Sequence, residues 1–185
     1  DNHQTDALFI YVASLIHFGN TGIPVDVISS NQFTTGSGCI STYELGDNSD
    51  YVMFQQNGTA KIDNSISNIT LGDQFCIELR YASANLTEIL TFRDVNNTKT
   101  AIFESLSNNA FKVTMYGQSI TSGPLSYGAH TVTLARRGNI MTLYIDGWYV
   151  NSVTVETTLT NSNVFIGDSN TSRTDVPVGS FFSYL

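Results

Sequence analysis

Basic residues are scarce in this sequence. Eight Lys plus Arg stand against sixteen Asp plus Glu, giving a net charge of -8, and the only adjacent basic pair is Arg136 and Arg137. A surface so poor in cations cannot neutralise a phosphate backbone, which argues against nucleic-acid binding. Long apolar runs are lacking too. The longest, Ala7 to Phe18, is too short to cross about 30 Å of hydrocarbon and contains Ser14 and His17, so it reads as one or two buried strands and not as a membrane insertion. Helical spacing of apolar residues rarely persists beyond two turns, which leaves no place for a helical bundle or a coiled coil. Only Pro24, Pro124 and Pro177 interrupt the chain, each in a segment that reads as a loop. No initiator Met and no charged segment precede the first apolar run, so the chain reads as a processed protein or as part of a longer one.

What fills the gap is neutral and polar: 17 Asn, 20 Ser and 22 Thr. Leu, Ile, Val and 21 aromatic residues are spread from Ala7 to Leu185, which predicts one folded domain over residues 1–185. Alternation of apolar and polar residues recurs at Tyr51 to Phe54, Phe75 to Tyr81, Ile89 to Phe92, Phe111 to Tyr116, His130 to Arg136, Met141 to Ile145, Trp148 to Val155 and Val164 to Ile166. These runs favour β-branched and aromatic residues and are separated by turn clusters such as Asp94-Val95-Asn96-Asn97 and Arg137-Gly138-Asn139. About a dozen short strands follow. The sharpest local signal is Asp146-Gly147 between two alternating runs, which supplies the two positive φ values of a type I′ hairpin turn. The class predicted is all-β: a two-sheet antiparallel sandwich, jelly roll or barrel.

Two cysteines, Cys39 and Cys76, leave two alternatives: a disulfide closing a long loop, or two free thiols. Five sequons, at Asn57, Asn68, Asn85, Asn96 and Asn170, suggest a secreted glycoprotein. With this much Asn, Ser and Thr, however, chance alone supplies roughly four.

The order of segments resembles the laminin-G-like and pentraxin-like branch of the concanavalin A-like lectin/glucanase superfamily. The resemblance runs through Ser14-Leu-Ile-His-Phe18, Gly46-Asp-Asn-Ser-Asp-Tyr-Val52, Phe75-Cys-Ile-Glu-Leu79, His130-Thr-Val-Thr-Leu-Ala-Arg-Arg-Gly-Asn139, Leu143-Tyr-Ile-Asp-Gly147 and Val164-Phe-Ile-Gly167. Leu143 to Gly147 is its most specific piece. Ala129 departs from it where the family usually has Trp, and Gly179 to Leu185 lacks the acidic residues of the family's closing strand. The resemblance implies a jelly-roll sandwich of two antiparallel sheets. It implies no single activity, so function rests on sites.

Glycosidases of this fold carry carboxylates on alternate residues of one strand, close enough for a retaining mechanism. Here Glu44, Glu78, Glu88, Glu104 and Glu156 are far apart, and none has an acid two or four positions away. No G-x-S-x-G elbow exists, and His3, His17 and His130 lack metal-ligand spacing, so the reading is non-enzymatic. The resemblance implies weak Ca²⁺ binding by two loops, with Asp94, Asn96, Asp168 and Asp175 as metal ligands and Asn97 and Asn170 beside them for a ligand. The same Asp and Asn residues serve equally as turn formers.

Sugar recognition calls for an aromatic face and neighbouring hydrogen-bonding groups. Trp148 directly follows the hairpin turn on the face of Leu143 and Val150, which predicts that it packs in the core. Tyr144 and Tyr149 fall on the other face, as candidate platforms for a ligand. The function expected is surface recognition of a glycan or cell-surface glycoconjugate, on a virion or phage appendage or as an extracellular adhesion domain. The alternative is an assembly domain packing against neighbouring subunits, and a glycoside hydrolase with unusual acids comes third.

Overall fold

The computed structural model describes the backbone of residues 69–82 and 87–167 and of shorter strands elsewhere, and the side chains of residues 70–80 and 88–158. Among these there are seventeen strands and no helix. Strands β1 (Ile16–His17) and β2 (Val25–Asp26) pair only with each other. In the amino-terminal half follow β3 (Phe33–Thr35), β4 (Ile40–Glu44), β5 (Asp50–Phe54), β6 (Thr59–Ile62), β7 (Ile69–Leu71) and β8 (Gln74–Ala82). Then come β9 (Thr87–Arg93), β10 (Lys99–Ser105), β11 (Ala110–Met115), β12 (Gln118–Pro124) and β13 (His130–Arg137). The last are β14 (Ile140–Ile145), β15 (Trp148–Thr154), β16 (Leu159–Gly167) and β17 (Ser180–Phe182). Every alternating run of the sequence is a strand. Of the run from Ala7 to Phe18, Ile16 and His17 are strand, and the rest lies outside the described residues.

Two antiparallel sheets form a sandwich, as the alternation predicts. One runs in the order β15-β14-β13-β8-β17-β5-β4, the other β12-β11-β10-β9-β16-β6-β3, with β7 pairing onto β16. Their inner faces meet over Leu79, Leu90, Phe103, Phe111, Val113, Met115, Val132, Leu134 and Leu143, none of which is exposed to solvent. Phe103 joins the rings of Phe92 and Phe111 with centroids at 6.3 and 6.5 Å. The edge strands β12 and β15 lie against each other and close this side of the sandwich.

Two of the described hairpins turn on a pair of successive positive-φ residues. Asp146 (52°) and Gly147 (79°) form the predicted type I′ turn, and Tyr116 (46°) and Gly117 (80°) form another. Arg136 ties the chain where it leaves β15. Only 4% exposed, it donates from Nε to the Gly138 carbonyl oxygen (2.9 Å), from Nη2 to that of Val155 (2.7 Å) and from Nη1 to that of Thr157. The guanidinium thereby satisfies backbone acceptors that the ladder leaves over.

Phe103→Ala should destabilise the fold by about 3–5 kcal/mol, the cost of an aromatic cavity in a core. Chemical denaturation checks this, and a loss below about 1 kcal/mol would mean that the sheets do not share this core.

Candidate functional site

The outward face of the seven-stranded sheet is fixed by register. Inward residues of β13 and β14 are buried in alternation, so Thr131, Thr133, Ala135, Thr142 and Tyr144 point outward. Thr133 pairs with Glu78 on one side and Tyr144 on the other, and Tyr144 pairs with Tyr149. One rank therefore crosses four strands: Glu78, Thr133, Tyr144, Tyr149. The next rank is Cys76, Ala135, Thr142 and Ser152. Within these ranks the Thr133 hydroxyl lies 3.4 Å from Glu78 Oε2, and the Thr142 and Ser152 hydroxyls share a hydrogen bond of 2.9 Å.

The two tyrosines meet edge to face, with centroids 6.2 Å apart and planes at 73°. Tyr149 is 61% exposed, so one aromatic face is open to solvent beside a floor of hydroxyl groups. Both tyrosines occupy the face that alternation assigned them.

Trp148 is a correction. It stands opposite Ile145 on the inward side, as the two-residue turn requires, yet it is 80% exposed. Alternation sets the side a residue faces but not how far the core extends, and the hairpin tip carries this indole past its end. Tyr127, in the loop between β12 and β13, is 88% exposed.

That loop and the hairpin tip are clamped together through His130. Its Nδ1 donates to Asp146 Oδ2 (2.7 Å) and its Nε2 donates to the Ser126 carbonyl oxygen (3.0 Å). Asp146 Oδ1 accepts from the Thr131 amide (2.8 Å). Burial pulls the imidazolium down, but the bonds to Asp146 and Ser126 and the carboxylate's charge outweigh it, so the His130 pKa is raised. For Asp146 burial is the largest single effect and acts upward, but the bonds from His130 and Thr131 and the charge of His130 together outweigh it, so its pKa is lowered. With an oxygen acceptor at each ring nitrogen, the geometry suits the protonated imidazole, in line with the raised pKa, and both nitrogens are engaged.

The Asp94 loop is organised as a turn. Asp94 Oδ1 accepts from the amides of Asn96 (2.9 Å) and Thr98 (2.8 Å), Asn97 adopts φ 64°, and Arg93 Nη1 donates to the Asn97 carbonyl oxygen (2.8 Å). Asp94 Oδ1 thus organises the turn through two amides of its own loop. Asp168, Asn170 and Asp175 lie outside the described residues. Among the described residues no group of three or more His, Cys, Asp and Glu side chains is placed to hold a metal.

On the other sheet Glu88 and Glu104 are cross-strand partners, but each carboxylate faces a lysine, Lys99 and Lys112 respectively. The two carboxylates are thus each held in an ion pair. Cys76 is a free thiol, and Cys39 lies outside the described residues. No helix among the described residues is long and apolar enough to cross a membrane.

No protein-family model matches the sequence. No curated protein matches it either. Solved structures do match in shape. The chain superposes on Trypanosoma rangeli sialidase with a TM-score of 0.63 at 12% identity, over 92% of this chain and 29% of that one. It thus spans under a third of the sialidase. Domain 4 of AbnA, a GH43 extracellular arabinanase from Geobacillus stearothermophilus solved with arabinotriose, matches at 0.63 and 11% identity, over 92% of this chain and 88% of that one. A carbohydrate esterase of the Shiga toxin-encoding bacteriophage phi24B matches at 0.53 and 11%, over 85% and 89%. At such identities the likeness shows the β-sandwich fold alone.

Two outcomes test the local chemistry. A raised His130 pKa contributes stability that is complete below about pH 6.5 and lost as pH rises through the folded value, whereas the lowered Asp146 pKa loses its share only as pH falls below about 3.9. Asp146→Asn, which keeps the turn, should therefore lower Tm more at pH 5.5 than at pH 8.5. An equal loss at both would show that the imidazolium is not involved. Asp94→Ala should cost about 1 kcal/mol of stability, because two amide donors lose their acceptor.

Proposed function

We propose that this domain recognises glycans without turning them over, at an exterior surface, and that its sandwich is of the concanavalin A-like, laminin-G-like type. The observation that carries the reading is the Tyr144–Tyr149 pair on the outward face of an edge hairpin, with Tyr149 61% exposed above Thr133, Thr142 and Ser152. A sugar ring offers an apolar C–H face and a rim of hydroxyls. An open tyrosine ring stacks on the first, while short threonine and serine hydroxyls meet the second at little cost in side-chain entropy and Glu78 offers a further acceptor. A purely structural face gains nothing from leaving an aromatic ring in water. Support comes from domain 4 of AbnA, whose sandwich is matched along nearly all of its length and was solved with arabinotriose. The engagement of Glu88 and Glu104 with lysines and the doubly bonded His130 favour binding over hydrolysis.

A second reading, docking against neighbouring subunits of a larger assembly such as a virion appendage, draws on Trp148 and Tyr127, exposed at 80% and 88%. Sedimentation velocity separates the two: a concentration-dependent oligomer dissociated by Trp148→Ala would favour assembly.

Tyr149→Ala should weaken binding on a glycan array by roughly fivefold to tenfold, the worth of one aromatic stacking contact, while leaving stability within about 0.5 kcal/mol. Unchanged binding would move the site away from this face. Release of reducing sugar from a bound glycan would overturn the non-enzymatic reading.

A further inference from the structure

Resting on the glycan reading, we infer that the Tyr144–Tyr149 corner takes one uncharged sugar unit of a soluble chain and disfavours anionic glycans. The first half follows from ring geometry. A shelf for a crystalline polysaccharide needs coplanar rings, whereas these planes meet at 73° with centroids 6.2 Å apart. Two rings at nearly a right angle make a corner that takes the face of one sugar on the open Tyr149 ring and its edge against Tyr144.

The second half follows from the charges around that corner. Glu78 lies on the same rank, two strands from Tyr144, with its carboxylate beside the Thr133 hydroxyl. Asp146 closes the hairpin next to the tyrosines, its side chain 47% exposed. The Asp146 carboxylate is paired with the His130 ring, so the charge that bears on the corner is that of Glu78. Recognition of a sialic acid, uronate or sulfate calls for an arginine fork or an equivalent cation. Arg80, on the adjoining rank opposite Thr131, already has a partner of its own. Arg137 stands four residues along β13 from Thr133, about 13 Å at strand spacing and beyond a Debye length. Glu78 stands two strands from Tyr144, about 10 Å at strand spacing, where repulsion of an anionic sugar weakens binding by roughly twofold to fifteenfold across effective dielectric constants of 80 to 20.

The test uses an array of matched chains, each displayed with and without its sialic acid, sulfate or uronate, followed by calorimetric titration of the best pair. Neutral members should bind more tightly than their charged counterparts, and Glu78→Gln should narrow that ratio by at least about twofold. Tyr149→Ala should weaken the neutral member, which ties the selection to this corner. Binding of charged members equal to or tighter than their neutral counterparts overturns the charge selection and leaves the glycan reading standing. Adsorption to microcrystalline cellulose or chitin, lost in Tyr149→Ala, overturns the single-unit corner. Failure to bind any chain overturns both the inference and the reading beneath it.

Discussion

The turn at Asp146 and Gly147 decides what this face of the molecule presents. Because side chains alternate with period two, a slip of one residue in the hairpin would send Tyr144 and Tyr149 inward and Leu143 and Ile145 out. The left-handed pair, φ 52° and 79°, fixes a two-residue loop and with it the pairing of Tyr144 with Tyr149. Asp146 is more than a turn former. Its carboxylate bonds the Thr131 amide and the His130 ring, so the residue that sets the register also anchors the tip to the neighbouring strand and to the loop carrying Tyr127.

Below the turn the ladder needs one adjustment. Pairing runs from Tyr144 with Tyr149 to Leu143 with Asn151, so β15 holds an extra residue at Val150. The apolar spacing of this strand demands it. Val150, Val153 and Val155 are three and then two apart, and strict alternation would turn Ser152 and Thr154 toward the core. With the bulge, Val150 and Val153 pack against the core and Val155 is 2% exposed, while Ser152 stays outward to meet Thr142. The bulge thus preserves both the core contacts of the edge strand and the hydroxyl floor beside the tyrosines.

Much of this was legible in the chain. Alternation located the strands, the Asp-Gly dipeptide located the hairpin, and parity placed Tyr144 and Tyr149 on the solvent face, because all three depend on neighbours within a few residues. What escaped depends on distance in space. Trp148 has inward parity, but its exposure depends on where the opposite sheet ends. His130 and Asp146 are sixteen residues apart and form no local motif; they meet because β13 and β14 are adjacent. The Asp94 loop shows the same limit: its Asp and Asn residues read in sequence as a ligand set or as turn formers, and the amide bonds to Oδ1 that organise the turn are visible only in the folded backbone.

A corner that holds one sugar unit also limits affinity. One pyranose has about a dozen non-hydrogen atoms, and at roughly 0.3 kcal/mol per atom this yields about 3.6 kcal/mol, a dissociation constant in the millimolar range. The scarcity of charge on this face withholds the long-range attraction that would otherwise raise the association rate. A domain of this kind becomes an effective binder only when several copies engage one glycan-bearing surface, where linkage can raise avidity by about 10²–10⁴ without any new contact. On the proposed reading, weak single sites and a rigid clamped hairpin are parts of one physical solution, in which specificity resides in the corner and strength in the number of copies.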